Sequence, residues 1–390
     1  MNTVTQTDNS AYLTEQLITY IGNKRALLSF IEQGISHVSK KMNREKLVTF
    51  DVFSGSGIVS RFLKQSSSHI YANDMEQYAS VISQCYLDTP SQRKITQLKK
   101  LHSTLTQECS KMMEEYLLCG TSFRDTKNLP GFISELYAPK DIKDIKKGER
   151  CFYTPYNACY IDCMRQCIDT IVPQTDRHFF IAPLLSESSI HANTGGVFKG
   201  FYKNSSTGIG KFGGNGENAM SRITGHISLP FPVFSSFKTE FTVFCENAND
   251  LASSKNNPHV DLAYIDPPYN QHPYGSNYFM LNLIAKYERP SKDILSRVSG
   301  IPSDWNRSMY NKKSYAEEAF VDLVKKLDAK FLLISFNNEG FIQTEQMKKI
   351  LSDEGKVTVL ESPYTAYRAS RNLSSRTPHV KEFLYIVEKR

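Results

Sequence analysis

The chain has 390 residues, 40% of them hydrophobic, a globular composition whose length exceeds one typical core and predicts two domains or one domain with a large insertion. Lysine and arginine outnumber aspartate and glutamate by 47 to 40, and the net charge of +7 permits a polyanionic partner without requiring one. The sequence has no apolar run of membrane-spanning length and no apolar signal region, so we expect a cytoplasmic protein without a membrane partner.

The first predicted elements are a strand, a tight turn and a helix. The apolar run 47–53 predicts a buried strand, which leads into the small-residue turn Ser54-Gly55-Ser56-Gly57 and a helix from about residue 58. A second strand ends at Asp74, and a helix follows over 76–87. This order of elements is typical of the opening of a doubly wound sheet.

The same pattern resumes after residue 238. Further strands are predicted at 241–245, 262–265, 331–335, 357–360 and 383–387. Helices are predicted between them, around 277–287, 314–328 and 341–353. The sequence therefore predicts an α/β fold with a doubly wound, mostly parallel sheet, built from 1–88 and 239–390.

The intervening region, 89–238, differs in composition from the two halves. It is predicted to be helical at 92–116 and 156–171, and its last part, 191–238, holds nine of the 20 glycines and a single acid, Glu217. We expect this last part to build little core and to be either a solvated loop or a flexible basic surface that contacts phosphates.

The second interpretation assigns phosphate contact to particular basic side chains. Those in the glycine-rich part are Lys199, Lys203, Lys211 and Arg222. The aromatic side chains interleaved with them are Phe198, Phe201, Tyr202 and Phe212. Near the C-terminus, Arg368 and Arg371 lie in a second basic stretch, for which a solvated hairpin is the alternative.

Cys159, Cys163 and Cys167 recur at every fourth residue. No CxxC pair or histidine cluster accompanies them, and on a helix the three thiols would share one face. We interpret them as small, reduced core residues and predict no metal site.

The segment Asp266-Pro267-Pro268-Tyr269 directly follows the predicted strand at 262–265. Two consecutive prolines cannot donate backbone hydrogen bonds, so the chain must leave the sheet at Asp266 and continue as a stiff, extended turn. Ligands bind at the carboxyl ends of strands in open α/β sheets. The turn would fix the Asp266 carboxylate and the Pro267 carbonyl beside the ring of Tyr269, which suits a flat ring with an exocyclic amine. The simpler alternative is a proline-terminated strand with a capping aspartate.

A second motif, Asp51-x-Phe53-x-Gly55-x-Gly57, lies at the predicted strand-to-helix turn. Glycines let a ligand approach the backbone there, and the helix N-terminus offers unpaired N–H groups. Asp74 ends the next strand, where an acid can bridge the two hydroxyls of a ribose. The pattern fits an adenosine-containing cofactor, whereas the absence of a third glycine disfavours a dinucleotide.

Together, these motifs resemble those of S-adenosylmethionine-dependent DNA N6-adenine methyltransferases of the Dam-like group. In that family a Tyr/Trp-x-Gly-x-Lys element comes first, then D-x-F-x-G-x-G, then D-P-P-Y. In this chain they stand in the same order as Tyr20-Ile21-Gly22-Asn23-Lys24, Asp51 to Gly57, and Asp266 to Tyr269. The resemblance covers most of the chain, though 89–190 only loosely, and implies a methyltransferase (Rossmann-like) sheet in which 89–238 is an inserted target-recognition region.

The resemblance also implies roles for individual residues. Cofactor contacts are implied for Tyr20, Lys24, Asp51, Phe53, Gly55, Gly57, Asp74 and Asp250. Among these, Asp74 would hold the ribose, Asp250 would contact the adenine of the cofactor, and Lys24 would lie near both cofactor and DNA. The pocket for the target base is implied to consist of Asp266, Pro267, Pro268 and Tyr269.

The reaction implied is methyl transfer from S-adenosylmethionine to N6 of adenine in a specific double-stranded DNA sequence, by base flipping and direct attack of the amine. This amine is a poor nucleophile, so Asp266 and the Pro267 carbonyl would accept its N–H bonds and align its lone pair, while Tyr269 stacks on the base. N4-cytosine methylation and a non-catalytic DNA-binding role remain alternatives. We further expect a monomer that belongs to a restriction-modification system with a separate cognate endonuclease.

Overall fold

Strands and helices alternate along the chain, as the apolar patterning predicts. The computed structural model describes residues 12–118, 120–214, 217–365 and 379–390. The strands of this part are β1 Leu47–Asp51, β2 Ser67–Asn73, β3 Leu117–Leu118, β4 Ser122–Phe123, β5 Glu240–Phe244, β6 Val260–Ile265, β7 Ala329–Asn337, β8 Gly355–Thr365 and β9 His379–Lys389. Its α-helices are α1 Leu28–Met42, α2 Ile58–Leu63, α3 Gln77–Leu87, α4 Gln92–Tyr116, α5 Phe132–Tyr137, α6 Pro155–Ile171, α7 His178–Ile190, α8 Glu217–Thr224, α9 Ala248–Ser253, α10 Tyr274–Asn277, α11 Phe279–Lys286, α12 Lys313–Lys326 and α13 Thr344–Glu354. None of these described helices is both long and apolar enough to cross a membrane.

Seven strands form one sheet in the order β5-β2-β1-β6-β7-β9-β8. β1 pairs in parallel with β2 and β6, β2 with β5, and β6 with β7, whereas β9 lies antiparallel between β7 and β8. The predicted doubly wound, mostly parallel α/β sheet is confirmed, and each predicted strand overlaps an observed one. In the sheet, β2 lies on one side of β1 and β6 lies on the other, so the strand order reverses between β1 and β6. Open α/β sheets bind ligands at the carboxyl ends of the strands beside such a reversal.

Helices cover both faces of the sheet because its central strands are apolar on both sides. Every residue of β6 is buried. Leu262 and Tyr264 belong to an apolar cluster with α1 and α2, whereas Ala263 and Ile265 belong to one with α9, α12 and α13. This continuous burial is typical of a parallel strand between two helical layers.

Residues 89–238 form a mainly helical region that shares an apolar cluster with the rest of the chain. The cluster joins α4, α5, α6 and α7 to α3 and α11, which contribute side chains such as Tyr78 and Leu281. Phe198 and Leu229, from the glycine-rich part, are buried in it as well. The expectation that this part builds little core is therefore wrong, and Phe198 is a core residue rather than an aromatic side chain that faces a nucleic acid. The role of the region in target recognition stays a prediction.

The three regularly spaced cysteines lie on α6. Cys159, Cys163 and Cys167 are all buried, which confirms their interpretation as core residues. The Sγ atoms of Cys159 and Cys163 are 3.8 Å apart, so the two thiols pack against each other within the apolar cluster.

Candidate active site

A cleft lies at the carboxyl ends of β1, β2 and β6, where ligands bind in open α/β sheets. Of the residues predicted from the sequence, those that line it are Tyr20, Lys24, Phe53, Gly55, Asp74, Asp266 and Pro268. Those that do not line it are Asp51, Gly57, Asp250, Pro267 and Tyr269. The structure thus brings all three motifs to one cleft, although they are far apart in sequence.

The turn after β1 is closed by hydrogen bonds to the end of β2. The N–H of Gly55 donates to Oδ2 of Asp74 at 2.8 Å, and the N–H of Glu76 donates to Oδ1 at 2.9 Å. Gly55 and Gly57 have left-handed backbones, with φ of 49° and 74°, and a Cβ atom on Gly55 would lie 2.9 Å from the ring of Tyr20. Glycine is therefore required at Gly55 by both its backbone and its neighbour. Burial raises the pKa of Asp74 to about 6, although its N–H donors oppose this rise.

Asp51 is buried beside this turn. Its Oδ2 accepts a hydrogen bond of 2.5 Å from the hydroxyl of Ser60, and its Oδ1 has no hydrogen-bond partner among the described residues. Burial raises the pKa of Asp51 to about 7. The carboxylate supports the start of α2 from within the protein, and its cofactor contact stays a prediction.

Tyr20 joins the N-terminal motif to the segment after β6. Its ring stacks on Tyr274 and Tyr278, with centroid distances of 5.0 and 4.9 Å. The N–H of Ile21 donates to the hydroxyl of Tyr278 at 2.8 Å, and the hydroxyl of Tyr274 donates to the carbonyl of Ile21 at 3.0 Å. These contacts fix the chain between Tyr20 and Lys24 against α10 and α11.

Lys24 lies between two acidic side chains. Its Nζ is 3.2 Å from Oδ1 of Asp266 and 3.4 Å from Oε1 of Glu382, and the three side chains are 4%, 17% and 3% exposed, respectively. Burial alone would lower the pKa of Lys24, but Asp266, Tyr269 and Glu382 outweigh burial and raise it well above its usual value. Burial raises the pKa of Asp266 to about 6, an effect that Lys24 opposes and Glu382 adds to. The sequence analysis did not assign Glu382 to the site.

The turn after β6 holds Tyr269 against the loop after β7. The Tyr269 ring lies edge-on to Phe336, with centroids 5.3 Å apart, and its carbonyl accepts a hydrogen bond of 3.2 Å from the N–H of Phe341. The ammonium group of Lys24 lies 5.3 Å from the centroid of the Tyr269 ring. Pro267 is buried. The turn predicted from the two prolines is therefore held by Pro267 near its start and by the contacts of Tyr269 at its end.

Another wall of the cleft comes from the connection between α11 and α12. Asn306 Nδ2 donates to the carbonyl of Met75 at 2.7 Å and to Oε2 of Glu76 at 3.2 Å. The ring of Tyr310 packs edge-on against Phe53, with centroids 5.3 Å apart. Burial raises the pKa of Glu76 to about 7. Sequence reasoning missed these residues because a polar connection carries no periodic signal.

Asp250 is exposed on the first turn of α9. The side chain of Asn247 caps this helix by accepting hydrogen bonds from the N–H groups of Asn249 and Asp250. Glu246 and Asn247 line the cleft at this edge, and Asp250 does not. The structure therefore brings Glu246 and Asn247 to the cleft and does not bring Asp250 there.

Two of the predicted basic residues, Lys199 and Lys211, are exposed. The ammonium group of Lys203 lies 4.8 Å from the centroid of the Phe201 ring. The N–H of Phe198 donates to the carbonyl of Asn277 at 2.7 Å, which ties this segment to the chain that follows Tyr269. Burial and the nearby charge of Lys199 lower the pKa of His272, in that same chain segment. The basic segment thus borders the cleft mouth at the side of Tyr269.

Arg222 is engaged within the protein. Its guanidinium donates to the carbonyls of Ile190, Ala192 and Thr194, the second of these at 3.0 Å. Its contact with phosphate stays a prediction beside this internal role. Arg368 and Arg371 lie outside the described residues.

The charged side chains that line the cleft are mainly acidic. The carboxylates that line it are Asp74, Glu76, Glu246 and Asp266. Lys24 is the only lysine or arginine that lines it within the described part of the chain, and two carboxylates engage it. Phosphate groups are recognised by unengaged cations or by concave sets of backbone N–H groups. The cleft therefore suits a cationic ligand without phosphates.

A family model described as D12 class N6 adenine-specific DNA methyltransferase matches residues 20–150 and 228–350. The matched ranges include the cleft residues from Tyr20 to Asp266 and leave out 151–227.

Three relatives extend the similarity to almost the whole chain. Type II methyltransferase M.NlaIII of Neisseria lactamica is 27% identical over 383 residues, which cover 95% of this chain and 99% of that protein. Type II methyltransferase M.CviAII of Paramecium bursaria Chlorella virus 1 is 28% identical over 375 residues, which cover 95% of this chain and 98% of that protein. Modification methylase StsI of Streptococcus sanguinis is 25% identical over 382 residues, which cover 95% of this chain but 52% of that longer protein.

Proposed function

The chain belongs to the D12 class of N6 adenine-specific DNA methyltransferases, and from this membership we propose that it uses S-adenosylmethionine to methylate an adenine flipped out of double-stranded DNA. Membership in this enzyme family sets aside the N4-cytosine and the non-catalytic alternatives. The observation that carries the proposal is the Asp266 carboxylate, which faces the same cleft as the glycine turn at Gly55 and lies beside the ammonium group of Lys24.

The residues of the cleft fit S-adenosylmethionine as the methyl donor. The four carboxylates that line the cleft suit the sulfonium and ammonium groups of this molecule, which has no phosphate, and the one lysine among the described lining residues is already paired with acids. Asp74 would accept hydrogen bonds from the ribose hydroxyls, and Phe53 and Tyr310 would cover the adenosine. Asn247, rather than Asp250, would contact its adenine. When bound, the cofactor supplies an electrophilic methyl group.

The residues of the protein must align the amine of the target adenine. Its lone pair is delocalised into the ring, so acceptors must draw its N–H bonds into a geometry that frees the lone pair. Asp266 and the Pro267 carbonyl are held by the turn after β6 to act as these acceptors. After transfer the nitrogen carries an extra proton, which Asp266 would receive as the acceptor of its N–H bond.

Base flipping follows from the depth of this site, because an amine inside a duplex cannot reach a buried carboxylate. Tyr269 is braced on one side by Phe336, and its ring is partly exposed, which leaves it free to stack on an extruded base. Stacking of this kind offsets part of the few kcal/mol that unstacking costs.

We propose that residues 89–238 recognise the DNA sequence. Lys199 and Lys211 are exposed, Lys199 lies near His272 in the segment that follows Tyr269, and both would contact phosphates beside a flipped base. The relatives M.NlaIII and M.CviAII are named type II methyltransferases. We further propose that this chain acts as a monomer in the cytoplasm and protects DNA from a separate cognate endonuclease.

The experiment that tests this function follows labelled methyl groups from S-adenosylmethionine into unmethylated genomic DNA, with nucleoside analysis of the product. We expect the label in N6-methyladenine and its loss in Asp266→Ala, while the variant still binds the cofactor. Asp328→Ala is the matched control, because Asp328 is an exposed aspartate paired with His259 outside the cleft. Full activity of Asp266→Ala would refute the mechanism, and label in no DNA base would refute the function.

A further inference from the structure

Glu382 is a buried carboxylate next to the active site that no predicted motif assigns to the reaction. It lies on β9 opposite Asn337 of β7. Its Oε1 is 3.4 Å from Nζ of Lys24, whereas its Oε2 has no hydrogen-bond partner among the residues that the structure describes. A buried carboxylate oxygen without a partner is costly, so we expect a second state in which Glu382 is better paired.

Lys24 is shared between Glu382 and Asp266. Its distances of 3.4 and 3.2 Å to the two carboxylates both exceed the ~2.7–2.9 Å typical of a charge-assisted hydrogen bond. Oδ1 of Asp266 lacks an aligned donor as well. The ammonium group thus lies between two acids, and a small movement would close it on either one.

We infer that Glu382 is a positioning residue for methyl transfer: it receives the ammonium group of Lys24 when Asp266 turns its carboxylate to the amine of the target adenine. The inference rests on the proposed function. Without a second acid, the release of Asp266 would leave a buried ammonium group unpaired, which is strongly unfavourable. With Glu382 in place, one buried ion pair replaces another, and Asp266 is freed at little cost.

The backbone beside Glu382 is fixed to the same loop as the target pocket. The N–H of Asn338 donates to the carbonyl of Lys381 at 3.2 Å, and the N–H of Lys381 donates back to Oδ1 of Asn338 at 3.2 Å. The N–H of Phe341, in the same loop after β7, donates to the carbonyl of Tyr269. These hydrogen bonds therefore fix the position of Glu382 relative to Tyr269.

The charges around Asp266 give the direction of a pH test. Burial raises the pKa of Asp266, Lys24 lowers it from the segment before α1, and Glu382 raises it from β9. The other titratable groups that interact with Asp266 are Asp51 of β1, Tyr264 of β6, Tyr269 of the following turn and Tyr274 of α10. Loss of the charge of Glu382 should lower the pKa of Asp266 and extend the activity to lower pH.

The test measures single-turnover methyl transfer to an unmethylated DNA substrate by the full chain, with saturating cofactor, for wild type, Glu382→Gln and Glu382→Asp. Glu388→Gln is the matched control, because Glu388 lies on the same strand and pairs with Lys41 at 2.9 Å on the surface. We expect Glu382→Gln to lower the rate roughly 10- to 100-fold. The affinity for the cofactor should be unchanged, and the rising limb of the pH profile should shift to lower pH. Glu382→Asp should recover part of the rate.

A double-mutant cycle with Lys24→Met separates positioning from a general structural effect. Because Glu382 acts through Lys24, its replacement should add little in the Lys24→Met background. An equal loss in both backgrounds, or a rate for Glu382→Gln equal to wild type, would overturn the inference. A wild-type chain that methylates no DNA would instead refute the proposed function, so the two failures are distinguishable.

Discussion

The carboxylate of Asp74 accepts a hydrogen bond of 2.8 Å from the backbone N–H of Gly55. This contact joins the ends of β1 and β2, so one side chain both shapes the glycine turn and presents an acceptor to the cleft. A change at Asp74 should therefore disturb cofactor binding in two ways at once.

We predict that Asp74→Asn weakens binding of S-adenosylmethionine about 10- to 100-fold, because the loss of a charged hydrogen-bond partner costs roughly 1.5–3 kcal/mol. Isothermal titration calorimetry with the cofactor alone measures this effect without DNA. Asp250→Asn is the control, since Asp250 is exposed and does not line the cleft. Equal affinities of the two variants would contradict the assignment of Asp74.

Gly55→Ala should lower both cofactor affinity and stability. The backbone φ of 49° is unfavourable for alanine, and the new Cβ would meet the ring of Tyr20 at 2.9 Å. We expect a loss of about 1–3 kcal/mol in the free energy of unfolding, measured by urea denaturation. Gly200→Ala is the matched control, because no atom lies within 4 Å of a Cβ at that position. A fully stable Gly55→Ala variant would show that the turn can relax.

The rate of methyl transfer should rise with pH through about 6. Burial raises the pKa of Asp266 to about 6, and its ionised form is the stronger acceptor for the target amine and the only form that can receive its proton. Below this pH the carboxyl is protonated and the rate should fall about tenfold per pH unit. Single-turnover rates at saturating DNA and cofactor measure the profile. A rate that stays constant down to the usual pKa of an aspartate would contradict this role.

Asp51 and Asp261 should affect stability with opposite dependence on pH. Burial raises the pKa of Asp51 to about 7, so stability is lost as the pH rises from the ordinary value of 3.8 through 7. In Asp261, burial is outweighed by the N–H of Val48 and by Lys330 and Arg44, and its pKa is lowered. Its contribution to stability is therefore present above the ordinary pKa and is lost on acidification.

Urea denaturation of Asp51→Asn at about pH 5 and about pH 8, and of Asp261→Asn at about pH 3 and about pH 5, tests this pair, since one pKa unit corresponds to about 1.4 kcal/mol. Relative to wild type, Asp51→Asn should gain stability from the lower to the higher pH of its series, whereas Asp261→Asn should lose stability. The same pH trend in both variants would contradict the assigned pKa directions.

Replacement of Lys199 and Lys211 by alanine should weaken DNA binding at low salt. If each lysine contacts a phosphate, the slope of log affinity against log salt should fall by about 1 per lysine. Fluorescence anisotropy with a labelled duplex measures the slope. Lys348→Ala is the control for loss of charge alone, because Lys348 pairs with Glu345 on α13. An unchanged slope would show that these two lysines do not contact DNA phosphates.

Local patterns in the sequence predicted most of the fold and part of the site. Apolar runs mark the strands because the sheet is buried on both faces, and the prolines at 267 and 268 mark where β6 must end. The motifs then meet because their strands are neighbours in the sheet. Glu382, Asn306 and Tyr310 could not be found in this way, since they reach the site through tertiary contacts alone.

The assignment of Asp250 shows the limit of transferring a motif by position. Its segment does reach the cleft, but the cap at Asn247 starts a helix there, and the first turn of that helix presents Asp250 to solvent. Each residue along an α-helix rotates the side-chain direction by about 100°, so a small difference in where a helix begins decides which side chain faces a ligand.

The apolar cluster that joins residues 89–238 to α3 and α11 has a consequence for engineering. A module that could be exchanged between enzymes would need a core of its own, whereas here Tyr78 and Leu281 from the catalytic part fill the core of 89–238. A region grafted from a relative would pack against α3 and α11 of this chain. Its side chains would not match theirs, and cavities would remain between them. A new sequence specificity is therefore more accessible through exposed side chains that read base edges than through domain exchange.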